Sequence, residues 1–270
     1  MVLVLIAIVT VQLGSSFAKD LYTETTPLTV TWLRLLAGAV ILAVVARPRL
    51  TGRAASDWGW VLGYGLAMAA MNLSFYLAIA RIPIGMAVTL EFLGPLGVSV
   101  AGSRRARDFV WVGLAALGVA LLGVTPGDLD AVGVGLALLA GALWGAYILL
   151  ARPVGKRFDG VTGVTVALWA GVAAVTVPVV VLGAWPPAAP MPWLQGLFVG
   201  LLSSVIPYGL EMVALRRIEP RVFSILMSME PAMAALAALV LLGEGLRAVE
   251  IVAMACVVVA SIGVVVSSRR

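Results

Sequence analysis

The chain has 270 residues, of which 62% are hydrophobic and only 11% are charged, whereas a soluble domain carries about 25% charged residues. A soluble core of this length does not need so much apolar surface, so the composition excludes a soluble globular protein and predicts a membrane protein. The net charge of +5 does not indicate a nucleic-acid partner, because the basic residues fall in short gaps between apolar runs and form no continuous stripe. The expected surroundings of the chain are therefore a lipid bilayer.

Ten apolar segments are long enough to cross a membrane, since about 20 apolar residues span a hydrocarbon core of roughly 30 Å. The predicted spans are residues 2–18, 28–46, 58–80, 82–103, 109–125, 131–151, 161–184, 193–215, 221–242 and 248–267. The first has no basic residue ahead of it, so we interpret it as a retained span and not as a cleavable signal peptide. Several spans are joined by only a few residues, which predicts tight helical hairpins.

The basic residues are distributed unequally between the two sets of loops that these spans define. One set holds 14 of the 18 Lys and Arg residues, whereas the opposite set holds only Lys19, Arg81 and Arg247. Because the cytoplasmic loops of membrane proteins are enriched in Lys and Arg, this distribution predicts that both termini are cytoplasmic.

Two stretches of the chain, "ARIPIGMAVTLEFLGPLGVSVAG" and "RRIEPRVFSILMSMEPAMAALAA", indicate an internal repeat. Arg81 aligns with Arg217, and Pro95 aligns with Pro231, both at an offset of 136 residues. The chain is therefore predicted to contain two five-span units, residues 1–127 and 128–270. Since five is odd, the second unit enters the membrane inverted, as in secondary transporters whose substrate site lies at the repeat interface.

Two carboxylates are predicted to lie near the middle of the membrane, one in each unit. Glu91 lies roughly 13 Å from the outer edge of the fourth span, and Glu230 lies a similar distance from the inner edge of the ninth. Ionisable residues inside a membrane are functional candidates, although a structural ion pair is the alternative. We expect both glutamates to exchange protons and to bind the ammonium group of a substrate.

Two further ionisable residues have both a structural and a functional interpretation. Arg34, inside the second span, could pair outward with Asp20 or Glu24, or inward with a glutamate. Glu211 lies close to the cytoplasmic end of the eighth span, where its side chain could reach the surface or pair with a nearby arginine. The sequence leaves both alternatives open for each residue.

Prolines and polar side chains inside the spans predict a cavity. Pro95, Pro207 and Pro231 each remove a helical hydrogen bond, and such breaks are tolerated where they line a cavity, with a packing kink as the alternative. The residues predicted to line a substrate pocket are Gln12, Ser15, Asn72, Tyr76, Trp144, Tyr147, Tyr208 and Ser228. For any one of them an interhelical hydrogen bond is an equally good interpretation.

Three glycine pairs, in "GWVLG", "GALWG" and "GLFVG", have the small-xxx-small spacing that is typical of close helix packing. The sequence contains no histidine, no metal-ligand cluster, no phosphate-binding loop and no serine–histidine pair. We therefore expect no metal, no cofactor and no enzymatic activity, with a polytopic membrane enzyme kept as a remote alternative.

The motifs "EFLGPL" and "LMSMEPA", with the run "VQLGSSFAKDLYTETTPLTVTWLRLLAGAVIL", resemble the EamA-type branch of the drug/metabolite transporter superfamily. The likeness covers nearly the whole chain and is greatest to threonine and homoserine exporters of the bacterial inner membrane. It implies an all-α fold of ten transmembrane helices in two inverted five-helix repeats, with cytoplasmic termini. It also implies a central cavity lined mainly by spans one, three, four, six, eight and nine.

Together these features and the resemblance predict a secondary active transporter that works by proton antiport and alternating access. The resemblance implies that it exports small amino acids of the threonine and homoserine type or related metabolites. Its partners would be the solute and protons, and the sequence does not decide whether it forms a homodimer. A multidrug or aromatic-metabolite exporter on the same fold is the alternative.

Overall fold

The computed structural model describes residues 2–48, 50–101, 108–123, 130–158, 161–215, 223 and 226–267. All regular secondary structure in these ranges is helical, and no strand occurs among them. Six helices of the described part are long and apolar enough to cross a membrane. For the described residues these findings confirm the predicted all-helical structure with several helices able to span a membrane, whereas the ten-span arrangement stays a prediction.

The described helices follow the predicted spans in order along the chain. Their bounds are α1 Val2–Asp20, α2 Pro27–Ala46, α3 Ala55–Ile79, α4 Ile84–Glu91, α5 Leu93–Ala101, α6 Asp108–Gly123, α7 Ala131–Arg157, α8 Thr162–Val181, α9 Pro190–Gly200, α10 Ile206–Leu215, α11 Glu230–Leu242 and α12 Ala248–Ser267. A π-helical turn, Leu201–Val205, joins α9 to α10. The fourth predicted span is thus two helices interrupted at Phe92, and the ninth lies partly outside the described residues.

Prolines explain where these helices are interrupted, because a proline has no N–H to donate to the carbonyl four residues before it. Pro95 removes that donor from the carbonyl of Glu91, the last residue of α4. Pro207 does the same for the carbonyl of Ser203, which lies in the π-helical turn. Pro231 lies in the first turn of α11, where a missing N–H costs no helical hydrogen bond. The positions of Pro95 and Pro207 in the sequence therefore specify which two carbonyls lose a helical hydrogen bond.

The start of α7 is capped by a carboxylate that also ties this helix to the end of α3. Asp130 accepts the N–H groups of Val132 and Gly133 at 2.9 and 3.1 Å and a hydrogen bond from Arg81 at 2.8 Å. The Arg81 hydrogen bond, followed by the backbone hydrogen bonds, lowers the pKa of Asp130 below its ordinary value. This stabilisation is present above the unfolded-state pKa and is lost as the pH falls through the folded-state pKa.

The helices pack as a bundle in which α3 contacts α7 and α8, α2 contacts α8 and α9, and α1 contacts α10 and α11. In the same way α4 contacts α7 and α11, and α6 contacts α12. Glycines permit the closest approaches: a Cβ added to Gly94 of α5 would overlap the carbonyl oxygen of Gly141 in α7. A Cβ at Gly65 of α3 would overlap the carbonyl of Ala167 in α8. These two glycines therefore set the distances between helix backbones.

Two of the three predicted glycine pairs lie at close helix contacts. The "GALWG" glycines of α7 face α4 and α5, and the "GLFVG" glycines of α9 face α2. The prediction for "GWVLG" was wrong, because no atom lies within 4 Å of a Cβ placed at Gly59 or Gly63.

Candidate functional site

A cavity of about 420 Å³ lies between the helices in the middle of the bundle. It extends from Phe75, near the end of α3, to Val98 and Val265, near the ends of α5 and α12. The residues on its wall that the sequence had singled out are Gln12, Ser15, Arg34, Asn72, Glu91, Pro95, Trp144, Tyr147, Pro207, Ser228 and Glu230. Side chains that are far apart in sequence therefore meet at one site.

Four of the predicted site residues are not placed on the described wall. Tyr76 is completely buried behind it, and Pro231 lies in the first turn of α11. The side chains of Tyr208 and Glu211 lie outside the described part of the chain, although their backbones belong to α10.

Arg34 is the basic residue on the described wall of the cavity, and it is 7% exposed. Its Nη1 donates to the hydroxyl of Tyr76 at 3.2 Å, and the guanidinium lies 5.4 Å from the centre of that ring. Its Nε donates to Ser204 Oγ at 3.2 Å, and its Nη2 donates to the carbonyl of Ser203 at 2.9 Å. The carbonyl of Ser203, which lacks its helical donor because of Pro207, thus accepts a hydrogen bond from Arg34. The described partners of Arg34 lie toward the interior of the bundle.

The two glutamates of the cavity lie at opposite kinds of helix end. Glu91 is the last residue of α4 and is 9% exposed, whereas Glu230 is the first residue of α11 and is 7% exposed. Arg34 is close enough to Glu91 for an electrostatic interaction. Because a helix N-terminus favours negative charge and a C-terminus favours positive charge, the two carboxylates have different electrostatic surroundings.

Aromatic rings form the less polar part of the wall. Trp144 packs edge-on against Phe92 at 5.5 Å between ring centres, and Tyr147 stacks on Tyr64 at 4.7 Å. Asn72 also lies on the wall, where its Nδ2 donates to the carbonyl of Met68 in its own helix at 2.8 Å. The site thus combines a few polar groups with apolar surface, as pockets for small molecules usually do.

Sequence reasoning missed two serines on the wall, Ser203 and Ser261. Ser261 Oγ donates to the carbonyl of Val257 at 2.9 Å, whereas Ser203 Oγ is buried without a hydrogen-bond partner in the described structure. The available signal for Ser203 was Pro207, which lies four residues later and frees its carbonyl. Ser261 had no comparable signal, because a serine within an apolar helix is common.

The end of the bundle where α1 ends and α4 begins is closed by a charged cluster. Lys19 Nζ lies 2.5 Å from Glu244 Oε1 and donates to the carbonyl of Ile82 at 3.2 Å. Glu244 Oε2 accepts the N–H of Ile84, the first residue of α4, at 3.0 Å. The cluster joins α1, α4 and the segment after α11 at the end opposite to Val98 and hence away from the main extent of the cavity.

No group of His, Cys, Asp and Glu that could hold a metal ion occurs among the described residues. The polar groups on the wall of the cavity can bind a polar solute by hydrogen bonds and charge.

Comparison with known proteins agrees with these features. Residues 131–266 match the EamA-like transporter family. The chain is 40% identical over 276 residues to the threonine/homoserine exporter RhtA of Escherichia coli, covering 100% of this chain and 92% of that protein. It is 40% identical over 272 residues to the threonine/homoserine exporter RhtA of Salmonella typhimurium, covering 98% and 91%.

A solved crystal structure has a similar fold, with a TM-score of 0.65 over 99% of this chain and 98% of that chain. The sequence identity of 19% means that this similarity shows the fold alone. The match over residues 131–266 and the 40% identity over nearly the full length carry the assignment. The chain belongs to the EamA-like transporter family.

Proposed function

We propose that this protein exports threonine, homoserine or a similarly small amino acid in exchange for protons. The observation that carries the proposal is the central cavity, whose wall, in the part of the chain that the structure describes, holds Arg34, Glu91 and Glu230 between packed helices. The names of the relatives, which are threonine/homoserine exporters, support the choice of substrate. The cavity volume of 420 Å³ lies toward the small end of the range of about 300–1,000 Å³ that is typical of ligand pockets.

The charges of the cavity complement a zwitterion. An amino acid carries a carboxylate and an ammonium group a few ångströms apart, and Arg34 and Glu91 supply the opposite charges on the same wall. Glu230 supplies a second carboxylate. A cavity with two carboxylates can hold a substrate ammonium group at one time and a proton at another, which is the requirement for exchange.

The pattern of helix contacts supports the inverted repeat of residues 1–127 and 128–270. The exchange pairs α1 with α7, α2 with α8, α3 with α9 and α10, α4 and α5 with α11, and α6 with α12. Under this exchange the largest contacts between the two units are conserved. The α3–α7 contact becomes the contact of α10 with α1, and the α4–α7 contact becomes that of α11 with α1. The α2–α8, α4–α11 and α6–α12 pairs would exchange with themselves and lie across the two-fold axis.

The proposed orientation also indicates whether the cavity of this structure faces the cytoplasm or the outside. With both termini cytoplasmic, as the basic loops predict, the Lys19–Glu244 cluster is on the outer side. The cavity extends from Phe75 toward Val98 and Val265, which are then on the cytoplasmic side. This is the arrangement of an inward-facing exporter that is ready to receive its solute from the cytoplasm.

Uptake into proteoliposomes tests the proposed function. Radiolabelled threonine and homoserine are offered under an imposed pH gradient, with protein-free liposomes and a protonophore as controls. We expect accumulation against the solute gradient, and we expect the protonophore to abolish it. No uptake of either solute by folded protein would overturn the proposed substrate, and uptake indifferent to the protonophore would overturn the coupling.

The aromatic wall keeps a multidrug or aromatic-metabolite exporter as the second candidate. The stacked pair Tyr64–Tyr147 and the contact of Trp144 with Phe92 would suit a flat cation. Transport of cationic dyes by the same proteoliposomes, lost in Trp144→Ala, would favour this candidate. Threonine uptake without dye uptake would exclude it.

Breaking the outer cluster is expected to favour the outward-open state. In a Cys256→Ala background, Ser15→Cys supplies a single thiol on the cavity wall, which is labelled from outside by a membrane-impermeant reagent. Glu244→Gln removes the charge that holds Lys19, so labelling should become about fivefold faster, which corresponds to about 1 kcal/mol for a partly buried ion pair.

The matched control for this experiment lies at the other end of the bundle. Asp57→Asn breaks an ion pair with Arg157, whose Nε lies 3.2 Å from the Asp57 carboxylate. This change should leave the outside labelling rate unaltered. Equal labelling rates in the Glu244→Gln protein and its parent would contradict the proposal that the Lys19–Glu244 cluster closes the outer end of the cavity.

A further inference from the structure

An apolar groove of about 650 Å³ lies on the outside of the bundle between α5 and α6. Its described lining residues come equally from the two helices, and all of them are leucine, valine, alanine or glycine. Gly97, Val112 and Ala116 among them are exposed. Both helices belong to apolar segments that are predicted to cross the membrane, so the hydrocarbon chains of lipids are the expected neighbours of this groove.

One residue lies between this groove and the central cavity. Among the described residues, only Leu96 belongs to the linings of both. On the same helix Pro95 and Val98 line the cavity alone, whereas Leu93 and Gly97 line the groove alone. Leu96 is 6% exposed, so its side chain fills the space where the cavity and the groove approach each other.

The side chains buried around Leu96 are short. Leu96 packs in a small cluster with Ala115 of α6 and with Ala260 and Val264 of α12. An alanine methyl group cannot rotate into a vacated space, and a valine in a helix has one strongly preferred rotamer. Because the surroundings of a deleted side chain relax only partly, shortening Leu96 should join the cavity to the groove.

The two spaces that would then be joined bind different chemical groups. The cavity wall carries the carboxylates of Glu91 and Glu230, whereas the described lining of the groove is apolar. An alkylamine has the same division, with an ammonium head that a carboxylate can bind and a hydrocarbon tail that an apolar groove can bury. Glu91 lies only five residues before Leu96 in the chain. A membrane-dissolved amine would therefore reach the carboxylates if the gap at Leu96 were open.

We propose that Leu96 closes the cavity to the bilayer and thereby excludes membrane-dissolved alkylamines from the solute site. This inference rests on the proposed function and adds to it a residue that determines specificity. A small polar amino acid enters the cavity from water and does not pass Leu96. An amine that arrives from the lipid has to place its tail where the leucine side chain lies.

Protection of a cavity thiol from labelling tests this barrier without depending on which solute is transported. In a Cys256→Ala background, Ile148→Cys supplies a single thiol on the cavity wall. The protein, in lipid nanodiscs, is treated with a water-soluble thiol reagent at increasing concentrations of octylamine. Leu96→Ala leaves space for about two methylene groups, and each buried methylene strengthens binding about fourfold. The octylamine concentration that gives half-protection should therefore fall about 15-fold.

Leu93→Ala is the matched control, because it shortens the same type of residue in the same helix and groove, but Leu93 does not line the cavity. Half-protection should stay at the wild-type concentration. Leu96→Met keeps the side-chain volume and should also behave as the wild type. The expected result is a gain of binding, which an unfolded protein cannot produce. If Leu96→Ala does not fold, Leu96→Val replaces it, with a smaller gain expected.

The possible results can be told apart. Equal half-protection concentrations in Leu96→Ala and the wild type would overturn the inference, and so would an equal fall in Leu93→Ala. Uptake of radiolabelled threonine is measured in parallel, and octylamine should inhibit it more strongly in Leu96→Ala than in the wild type. If the folded wild type takes up no threonine, the proposed substrate is wrong, whereas the protection measurement still decides whether Leu96 closes the cavity.

Discussion

Replacing Glu91 by glutamine is expected to lower proton-driven uptake of threonine by on the order of 100-fold, the effect of removing one partner from a buried charge interaction. Glutamine has nearly the shape of glutamate but neither titrates nor carries charge. It therefore cannot exchange a proton for the substrate ammonium group. The measurement is the initial rate of uptake into proteoliposomes at a fixed pH gradient, with protein folding checked by size-exclusion chromatography.

The positions of the two glutamates predict a difference between them. Glu91 ends α4, where the helix dipole favours a bound cation, whereas Glu230 begins α11, where it favours the carboxylate itself. We therefore expect Glu91→Gln and Glu230→Gln to differ in how they divide their effect between substrate binding and proton dependence. Counterflow exchange at equal pH on both sides isolates binding from coupling and measures this difference.

Glu250→Gln is the matched control for both substitutions. Glu250 is 8% exposed, but it does not line the cavity, and its carboxylate accepts the N–H of Arg247 at 2.8 Å at the start of α12. Glutamine can accept the same hydrogen bond, so transport should be retained. If Glu91→Gln and Glu230→Gln both transported at the wild-type rate, the coupling role of these glutamates would be wrong, although the fold would be unaffected.

Gly94→Ala is expected to destabilise the protein by about 3 kcal/mol or more, at the upper end of the usual cost of overpacking. The added Cβ would overlap the carbonyl oxygen of Gly141, and a backbone atom cannot rotate away as a side chain can. The helices α5 and α7 must therefore separate. Since Gly94 lies three residues after Glu91, we also expect transport to be lost. Thermal unfolding in detergent and the uptake assay measure the two effects.

Gly97→Ala in the same helix is the control for this substitution. No atom lies within 4 Å of a Cβ added at Gly97, which is exposed at the surface of α5. Its unfolding free energy should equal that of the wild type or exceed it by up to about 1 kcal/mol, because alanine favours a helix more than glycine does. A Gly94→Ala protein as stable as the Gly97→Ala protein would contradict the close approach of α5 and α7.

Much of the candidate site could be predicted because its residues are charged or helix-breaking, whereas the residues around them in the sequence are apolar and helix-forming. Glu91 and Glu230 are carboxylates within apolar runs, and Pro95 and Pro207 are helix breakers within helices. The cost of such residues in a membrane is local, so each can be recognised alone. The structure places all four on one cavity wall, although their roles in transport stay predictions.

Other residues could not be predicted because their significance depends on their neighbours. Tyr76 was expected in the pocket, but it supports Arg34 from behind the wall. Ser203 is an ordinary serine in sequence, and it stands out only in the structure, where it lies in the π-helical turn and its hydroxyl has no described partner. The sequence likewise left the partners of Arg34 open, since residues from three separate helical segments meet around it.

The sequence by itself determined that this is a helical membrane protein, where the described helices lie and, through Pro95 and Pro207, where two of them are interrupted. Those properties follow from the hydropathy of consecutive residues and from the missing N–H of proline, which act over a few residues. Only the tertiary structure decided which helices face each other, which glycines set their distances and which buried polar atoms remain without partners. Those properties depend on contacts between segments far apart in the chain, such as Gly94 with Gly141 and Lys19 with Glu244.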